Sequence, residues 1–177
     1  LYTIPAFQNP MGWTMSLERR KQVLGITGKH GIPVFEDDCY ADLRFSGENV
    51  TSFHSLDDTG RVIYVGSFSK IIAPGMRMGY LVAPKEVIAR AWSFKSGGAV
   101  SQFTALTIAE FMKGNIDRHI EEQNESLIAK RDAMVAALGE NFGSTVSWTV
   151  PDGGLYIWVK FPEGTDMATV QEDIFQD

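Results

Sequence analysis

Residues 66–81 read GSFSKIIAPGMRMGYL, and two short apolar runs overlap the ends of this stretch. The first run, residues 61–66 (RVIYVG), is rich in β-branched residues and predicts a strand. The second, residues 79–82 (GYLV), predicts another strand, and a turn with the sequence Ala73-Pro74-Gly75 separates the two. In open α/β sheets, ligands bind where the strands end. The polar side chains of residues 67–78 are therefore candidates for a binding site.

The rest of the chain alternates short apolar strands with helical segments, which is the pattern of an α/β fold. Ser16 is a suitable N-cap for a first helix that reaches about Lys29. The last region predicts a second, smaller domain, so we divide the chain into residues 1–141 and residues 142–177. The remaining predictions are strands at residues 1–4, 33–36, 146–150 and 155–160, and helices at residues 84–97, 102–113, 116–138 and 167–175.

The composition is that of a folded domain. Of the 177 residues, 44% are hydrophobic and 21% are charged, as in soluble globular proteins. The net charge of −6 argues against nucleic-acid binding through this region, because phosphate backbones attract basic surfaces. No apolar run approaches the roughly 20 residues that a membrane span needs. The acidic residues, including Glu36, Asp37 and Asp38, are interpreted mostly as solvated surface.

The cysteine content and the two ends of the chain bear on its location and its completeness. Cys39 is the single cysteine, which excludes an intrachain disulfide and is typical of a reducing compartment, so we predict a cytoplasmic protein. The chain starts at Leu1 and stops at Asp177 inside a predicted helix, which suggests a fragment of a longer protein. The 3 histidines share no metal-ligand spacing, so no metal site is predicted.

Three polar clusters follow predicted strands: Asn9-Pro10, residues 37–40 (DDCY), and residues 67–70 (SFSK) followed by Arg77. Each cluster alone is a weak signal. Asn-Pro usually forms a turn, and a carboxylate pair after a strand usually caps a helix or faces water. A lysine in a loop usually lies on the surface. Only the order and spacing of the three clusters together are informative.

Four segments together resemble the fold-type-I aminotransferases of classes I and II, which depend on pyridoxal phosphate. They are NPMG at residues 9–12, VFEDDCYADLRF at 34–45, GSFSKIIAPGMRMGYL at 66–81 and PDGGLYIWVKF at 151–161. The second segment looks most like the 2-aminoadipate and kynurenine aminotransferase group, and it is also similar to the aminotransferase-like domain of MocR-type regulators. The resemblance implies an aspartate aminotransferase-like large domain with a mostly parallel sheet over residues 1–141. The start of a small α+β domain would follow at residues 142–177.

The resemblance implies a role for each polar residue around the cofactor ring. Lys70 would hold pyridoxal phosphate as a Schiff base and later move the substrate Cα proton, for which it needs a partly apolar or cationic setting. Asp37, which is three residues before Tyr40, would lie beside the ring nitrogen, although a strand-end carboxylate could instead cap the next turn. Tyr40 and Asn9 would hydrogen-bond the phenolic oxygen. For Tyr40, the alternative is a buried tyrosine bonded to the backbone.

The phosphate group would be held by Ser67, Ser69 and Arg77 in the same family pattern. Two hydroxyls two residues apart can face one anion, and an arginine offers a planar fork of donors to phosphate oxygens. A surface ion pair is the alternative for Arg77. Gly153-Gly154 matches a family turn near the active-site entrance, and it is equally compatible with a turn that simply joins two strands.

The function implied is transfer of an amino group between an amino acid and a 2-oxo acid by a homodimeric enzyme. Two alternatives stay open. The same pocket could hold pyridoxal phosphate as the effector of a MocR-type transcription regulator, or the fold could serve a related lyase. The residues around Lys70 do not separate these three, and they do not indicate which amino acid is the substrate.

Overall fold

A four-stranded sheet carries the polar clusters. The computed structural model of the chain describes residues 1–174. Its sheet contains β1 (Tyr2–Thr3), β2 (Val34–Asp37), β3 (Val62–Ser67) and β4 (Gly79–Val82), in the order β1-β2-β3-β4. The first three strands are parallel, and β4 runs antiparallel to β3. The predicted α/β class with a mostly parallel sheet is therefore confirmed.

The rest of the described chain forms five α-helices and a second, small sheet. Ser16 caps the first helix as predicted, since its hydroxyl accepts from the backbone N–H of Arg19 at 3.3 Å. The elements are α1 (Leu17–Lys29), α2 (Phe53–Leu56), α3 (Lys85–Phe94), α4 (Gln102–Phe142), α5 (Met167–Ile174), and the antiparallel pair β5 (Ser147–Trp148) and β6 (Val159–Lys160). Within the described residues, none of the helices has the length and apolar character needed to cross a bilayer.

Helix α4 combines two helices that the sequence predicts separately. A kink lies at Lys113 and Gly114, and Gly114 has a positive φ of 81°, a conformation that glycine adopts without strain. Beyond the kink the helix continues to Phe142, past the predicted end at residue 138. The end of α4 falls at the proposed division between residues 1–141 and 142–177, which stays a prediction.

Strands β5 and β6 have two residues each, much shorter than the predicted runs at residues 146–150 and 155–160. The intervening backbone instead bonds to the segment that follows β2. The N–H of Phe45 donates to the carbonyl of Asp152, and the N–H of Gly154 donates to the carbonyl of Leu43, both at 2.7 Å. The backbone groups that would extend a hairpin thus attach this region to the segment that follows β2.

The prediction of a solvated acidic surface is wrong for Glu36. This residue lies in β2 and is fully buried, with 0% exposure. Its two carboxylate oxygens accept from the backbone N–H groups of Phe53 and His54, each at 2.8 Å. Burial raises the pKa of Glu36, although these backbone donors and the guanidinium of Arg20, 3.9 Å away, act in the opposite direction. Glu36 therefore connects the sheet to the start of α2.

Arg20 extends this buried connection to the loop that contains Asn9. Its guanidinium donates to the carbonyl oxygens of Pro5 at 3.0 Å, Met15 at 3.1 Å and Thr51 at 3.1 Å. The side chain is only 1% exposed, and burial lowers its pKa. Arg20 and Glu36 together therefore hold the chain on either side of residues 9–12 against the sheet.

Removing one member of this buried pair is expected to destabilise the whole protein strongly. Glu36→Ala would leave the guanidinium of Arg20 without its carboxylate and two backbone N–H groups without an acceptor. We expect the free energy of unfolding to fall by about 3–5 kcal/mol. Urea unfolding followed by circular dichroism measures this free energy. The control is Glu48→Ala, since Glu48 is an exposed glutamate. A Glu36→Ala protein as stable as the control would contradict the structural role.

Candidate active site

The carboxyl ends of β2 and β3 lie side by side at one edge of the sheet. In the parallel register, Asp37 pairs with Val65, so the chain leaves both strands at the same edge. Residues 38–40 follow one strand and residues 68–70 follow the other. Two of the three polar clusters predicted from the sequence therefore meet here, as expected for a ligand site in an open α/β sheet.

The antiparallel strand β4 brings Arg77 to the same edge. Ser67 pairs with Gly79, and the backbone N–H of Phe68 donates to the carbonyl of Met78 at 3.1 Å. Arg77 has a left-handed conformation, with φ 49° and ψ 42°, and is exposed. Among residues 1–174, it has no carboxylate partner within ion-pair distance, unlike the surface ion pair considered above. One N–H of its guanidinium donates to the carbonyl of Pro74 at 3.3 Å, and the remaining donors can bind an anion.

The turn that carries Lys70 is held by its own short-range bonds. The hydroxyl of Ser67 accepts from the backbone N–H of Ser69 at 3.2 Å. The carbonyl of Phe68 accepts from the N–H groups of Ile72 and Ala73, at 2.8 Å and 3.2 Å. Lys70 is half-buried within this turn. The two serines thus lie at the base of the turn, close to the lysine in sequence and in space.

Tyr40 lies in a buried cluster that contacts the Lys70 turn. The tyrosine is 4% exposed and packs with Ala6, Phe7 and Leu43. Ile71, the residue after Lys70, packs against this cluster, as do several residues from other segments. The cluster that contains Tyr40 and the turn that carries the lysine are therefore neighbours.

The hydroxyl of Tyr40 faces side chains and not the backbone. It lies 3.4 Å from the hydroxyl of Tyr156, and the two rings meet edge to face with centroids 5.9 Å apart. Burial raises the pKa of Tyr40, and the hydroxyl of Tyr156 adds to this effect. The nearby side chain of Asn9 works in the opposite direction. Asn9 and Tyr40, which the resemblance assigns to one oxygen, thus lie close enough to act together.

Asp37 accepts a hydrogen bond from a tyrosine of the neighbouring strand. The hydroxyl of Tyr2 donates to its carboxylate at 2.6 Å, and this bond raises the pKa of Tyr2 to about 12. The partner is a side chain and not the backbone of a following turn, in contrast to a strand-end cap. The sequence analysis missed Tyr2, and its place on β1 beside β2 becomes visible only in the sheet.

Asp38 points to a different environment from Asp37. Successive side chains of a strand point to opposite faces. The side chain of Asp38 therefore points to the same face as that of Glu36, and that of Asp37 points to the other face. The hydroxyl of Tyr64 donates to Asp38 at 3.1 Å, and burial raises the pKa of Asp38. Its partner is thus a tyrosine of β3 and not the backbone of the following turn. Alternation therefore gives the two adjacent carboxylates separate surroundings.

Cys39 is half-buried beside the tyrosine of the active-site candidate. It packs against the cluster that contains Tyr40. Burial, reinforced by the charge of Asp37, raises the pKa of its thiol to about 12. Since the thiolate is the nucleophilic form, this cysteine is suited to packing and not to covalent chemistry.

Two adjacent amides on α4 bind the turns that follow β3 and β2. The side chain of Gln123 donates to the carbonyl oxygen of Lys70 at 2.7 Å. The side chain of Asn124 donates to the carbonyls of Asp42 and Arg44, at 3.0 Å and 3.2 Å. The sequence analysis missed both residues. Gln123 and Asn124 lie three and four residues after Ile120 of the predicted apolar stripe. This spacing would have assigned both amides to the buried face of the helix.

The Gly153-Gly154 turn packs directly on the Tyr40 cluster. A side chain at Gly153 would overlap the ring of Phe7 and the carbonyl oxygen of Leu43, and Gly154 has a positive φ of 78°. The turn therefore does more than join two strands. Its close approach allows Tyr156, two residues further on, to reach Tyr40.

The described residues contain no group of three side chains suited to hold a metal ion. The site instead combines a carboxylate, a half-buried lysine, a buried phenol, two hydroxyls and an arginine at one edge of the sheet. This set of groups is suited to an anionic ligand that also carries a basic nitrogen and a carbonyl-like carbon, with each feature matched by a different side chain.

Comparison with known proteins gives this site a context. The profile of the family described as aminotransferase class I and II matches residues 4–176. Aromatic-amino-acid aminotransferase 1 of Thermococcus litoralis is 39% identical over 97% of this chain, and the match covers 42% of that protein. The HTH-type transcriptional regulator YisV of Bacillus subtilis is 38% identical over 91% of this chain and 34% of its own length.

A solved structure matches at the level of the fold as well. The crystal structure of kynurenine aminotransferase from Pyrococcus horikoshii, determined in complex with PMP, superposes with a TM-score of 0.92 at 38% identity. The match covers 99% of this chain and 44% of that chain. The chain thus spans less than half the length of the relatives it matches.

Proposed function

We propose that this chain, which belongs to the class I and II aminotransferase family, supplies the cofactor-anchoring part of an enzyme that transfers amino groups from an amino acid to a 2-oxo acid. The cofactor is pyridoxal phosphate, in keeping with the family and with the PMP of the solved relative. The main support from the fold is the sheet register, which gathers Asp37, the Lys70 turn and Arg77 at one edge.

The residues present fit the cofactor feature by feature. Asp37 would face the ring nitrogen and keep it protonated through its negative charge. Tyr40, with Asn9 beside it, would donate to the phenolic oxygen. Lys70 would hold the cofactor's aldehyde carbon. The phosphate would bind Ser67 and Ser69, which belong to the Lys70 turn, and Arg77, which lies just before β4.

When bound, pyridoxal phosphate draws electron density away from the substrate Cα and so makes its hydrogen acidic. The protein's own part is then to move that proton and to keep the charges in place. Lys70 is the residue whose side-chain amine would take the proton from the substrate Cα. In amino transfer, the same amine would deliver the proton to the carbon that was the cofactor's aldehyde carbon. Phe68, Ile71 and Ile72 are half-buried apolar residues of the same turn, and they would limit the access of water to this proton transfer.

Tyr40 would hold the proton of its phenol in place during this transfer. Burial and the neighbouring Tyr156 raise its pKa, so the hydroxyl stays protonated and acts as a donor. Asp37 would be the negative partner of the ring nitrogen. The site would thus use one donor and one acceptor at fixed positions, with Lys70 as the group that moves the proton.

A second function has support from the comparisons. The relative YisV is named as an HTH-type transcriptional regulator, so the same residues could hold the cofactor in a protein that regulates transcription. In that case the cofactor would still bind at Lys70, and the whole protein would bind DNA through a separate domain. A related lyase would differ only after proton removal. We also propose a homodimer, as is typical of the family.

We expect the whole protein to form glutamate from 2-oxoglutarate in the presence of an amino acid and pyridoxal phosphate. Aromatic amino acids, kynurenine and 2-aminoadipate form the first panel, and glutamate is measured by a coupled dehydrogenase assay. Release of ammonia without glutamate would indicate the lyase. Cofactor binding without any turnover, together with sequence-specific DNA binding, would contradict the aminotransferase proposal and support the regulator.

A further inference from the structure

We propose that Gln123, on α4, is a positioning residue for Lys70. This inference rests on the proposed function, since it concerns the lysine that would move the proton. The side-chain amide of Gln123 donates to the backbone carbonyl of Lys70 at 2.7 Å, across a sequence separation of 53 residues. The bond is short and well within the range of strong amide–carbonyl contacts.

The contact fixes a part of the chain that has no regular structure of its own. The N–H groups of Ile72 and Ala73 both bond to the carbonyl of Phe68, so the local bonds of the turn bypass the carbonyl of Lys70. Among the described residues, the side chain of Gln123 is the only hydrogen-bond donor to the carbonyl of Lys70. The position of the lysine backbone therefore depends on α4 as well as on the sheet.

The next residue on the helix does the same for the segment after Tyr40. The amide of Asn124 donates to the carbonyls of Asp42 and Arg44. Leu127, one turn further along the helix, packs against the cluster that contains Tyr40. Consecutive positions of one helix thus hold both the lysine turn and the tyrosine segment, which fixes the distance between them.

The acceptor half of each amide contrasts with its donor half. Within residues 1–174, the carbonyl oxygens of the Gln123 and Asn124 side chains are buried and have no donor. A buried acceptor without a partner destabilises the folded state. An apolar side chain of similar size would avoid that cost. Of the two halves of the Gln123 amide, the N–H donor is therefore the one that makes a contact, and its acceptor is the backbone carbonyl of Lys70.

Positioning of this kind affects rate more than binding. A displacement of about 1 Å in a reacting group can lower the rate about 10²-fold, because the reacting atoms no longer meet in line. A shift of the Lys70 backbone would move its amine relative to the substrate Cα. The groups that hold the phosphate, Ser67 and Arg77, would remain in place. The effect should therefore fall on kcat and leave the KM for the amino acid nearly unchanged.

The test uses the whole protein with Gln123→Met, which keeps the length of the side chain and removes the donor. Gln123→Glu is a second variant of nearly the same shape, and Glu125→Met is the matched control at an exposed position of the same helix. We expect both Gln123 variants to lower kcat by roughly 10–100-fold. KM should stay within about threefold in both variants, and the melting temperature of the Gln123→Met protein should stay close to that of the control.

A second readout does not depend on turnover. The rate at which added pyridoxal phosphate becomes fixed to Lys70 by borohydride reduction, followed by peptide mass mapping, should fall in the Gln123 variants and not in Glu125→Met. If the protein shows no aminotransferase activity at all, this rate still tests the positioning role separately. Unchanged kcat and unchanged fixation rate would overturn the inference. So would a loss of the fold in both variants, because Gln123 would then be a structural residue.

Discussion

Replacing Lys70 by alanine is expected to lower amino transfer by the whole protein by at least roughly 10²–10⁴-fold, the usual contribution of a positioned proton-transfer group. The amine is the only part of the side chain that can move the Cα proton, and alanine removes it entirely. The fold should survive, because Lys70 is half-buried and its backbone carbonyl still accepts from Gln123.

Initial rates of glutamate formation at saturating cofactor measure this loss, with circular dichroism to confirm the fold. Lys85→Ala is the matched control, since Lys85 is an exposed lysine at the start of α3. It should stay within about twofold of the unmodified protein, as is usual for surface substitutions. Full activity of the Lys70→Ala protein would exclude this lysine from the chemistry.

The second large effect separates two adjacent carboxylates. Asp37→Asn keeps the shape of the side chain and removes the negative charge that would stabilise a protonated ring nitrogen. We expect turnover to fall by roughly 10²–10³-fold, which is typical of losing one electrostatic group in a reaction centre. Asp38→Asn should cost far less, because Asp38 bonds to Tyr64 on the other face of the strand.

The ranking of the two variants is the informative result. Both substitutions are isosteric, and both leave an oxygen to accept from a tyrosine, Tyr2 for Asp37 and Tyr64 for Asp38. A difference in turnover therefore reports the charge and not the packing. If Asp38→Asn were the more damaging change, the assignment of the ring partner would be displaced by one residue.

The strands that form the site were predictable from sequence to within one residue. The prediction at residues 33–36 became β2 (Val34–Asp37), and the one at 61–66 became β3 (Val62–Ser67). The prediction at residues 79–82 matched β4. These strands are short runs of apolar and β-branched residues bounded by turns, so their local signal is strong.

Elements that depend on distant contacts were predicted less well. Helix α2 has four residues and was missed, although its cap Ser52 accepts from the N–H of Ser55 at 3.1 Å. One turn of helix has little periodicity of its own, and here the carboxylate of Glu36 supports it from another strand. The burial of Glu36 was itself mispredicted, because a charged residue reads as surface until its partners are known.

The site shows the same division between local and distant information. The polar residues of the three clusters could be assigned from their order and from a family resemblance. Their supporting partners could not, since Gln123 contacts Lys70 over 53 residues and Tyr156 contacts Tyr40 over 116. Nothing in the spacing of glutamine or tyrosine along the chain marks such a contact. It follows from how α4 and residues 151–156 pack against the segments that follow β2 and β3.

The most direct test of the account is to locate the cofactor on the whole protein. The protein is incubated with pyridoxal phosphate, reduced with borohydride and digested, and the pyridoxyl adduct is mapped by peptide mass. Lys70 should carry the adduct, because it is half-buried beside the cluster of Tyr40, whereas Lys29, Lys85 and Lys95 are exposed. A stoichiometric adduct on one of those three, with Lys70 unmodified, would contradict the site described here.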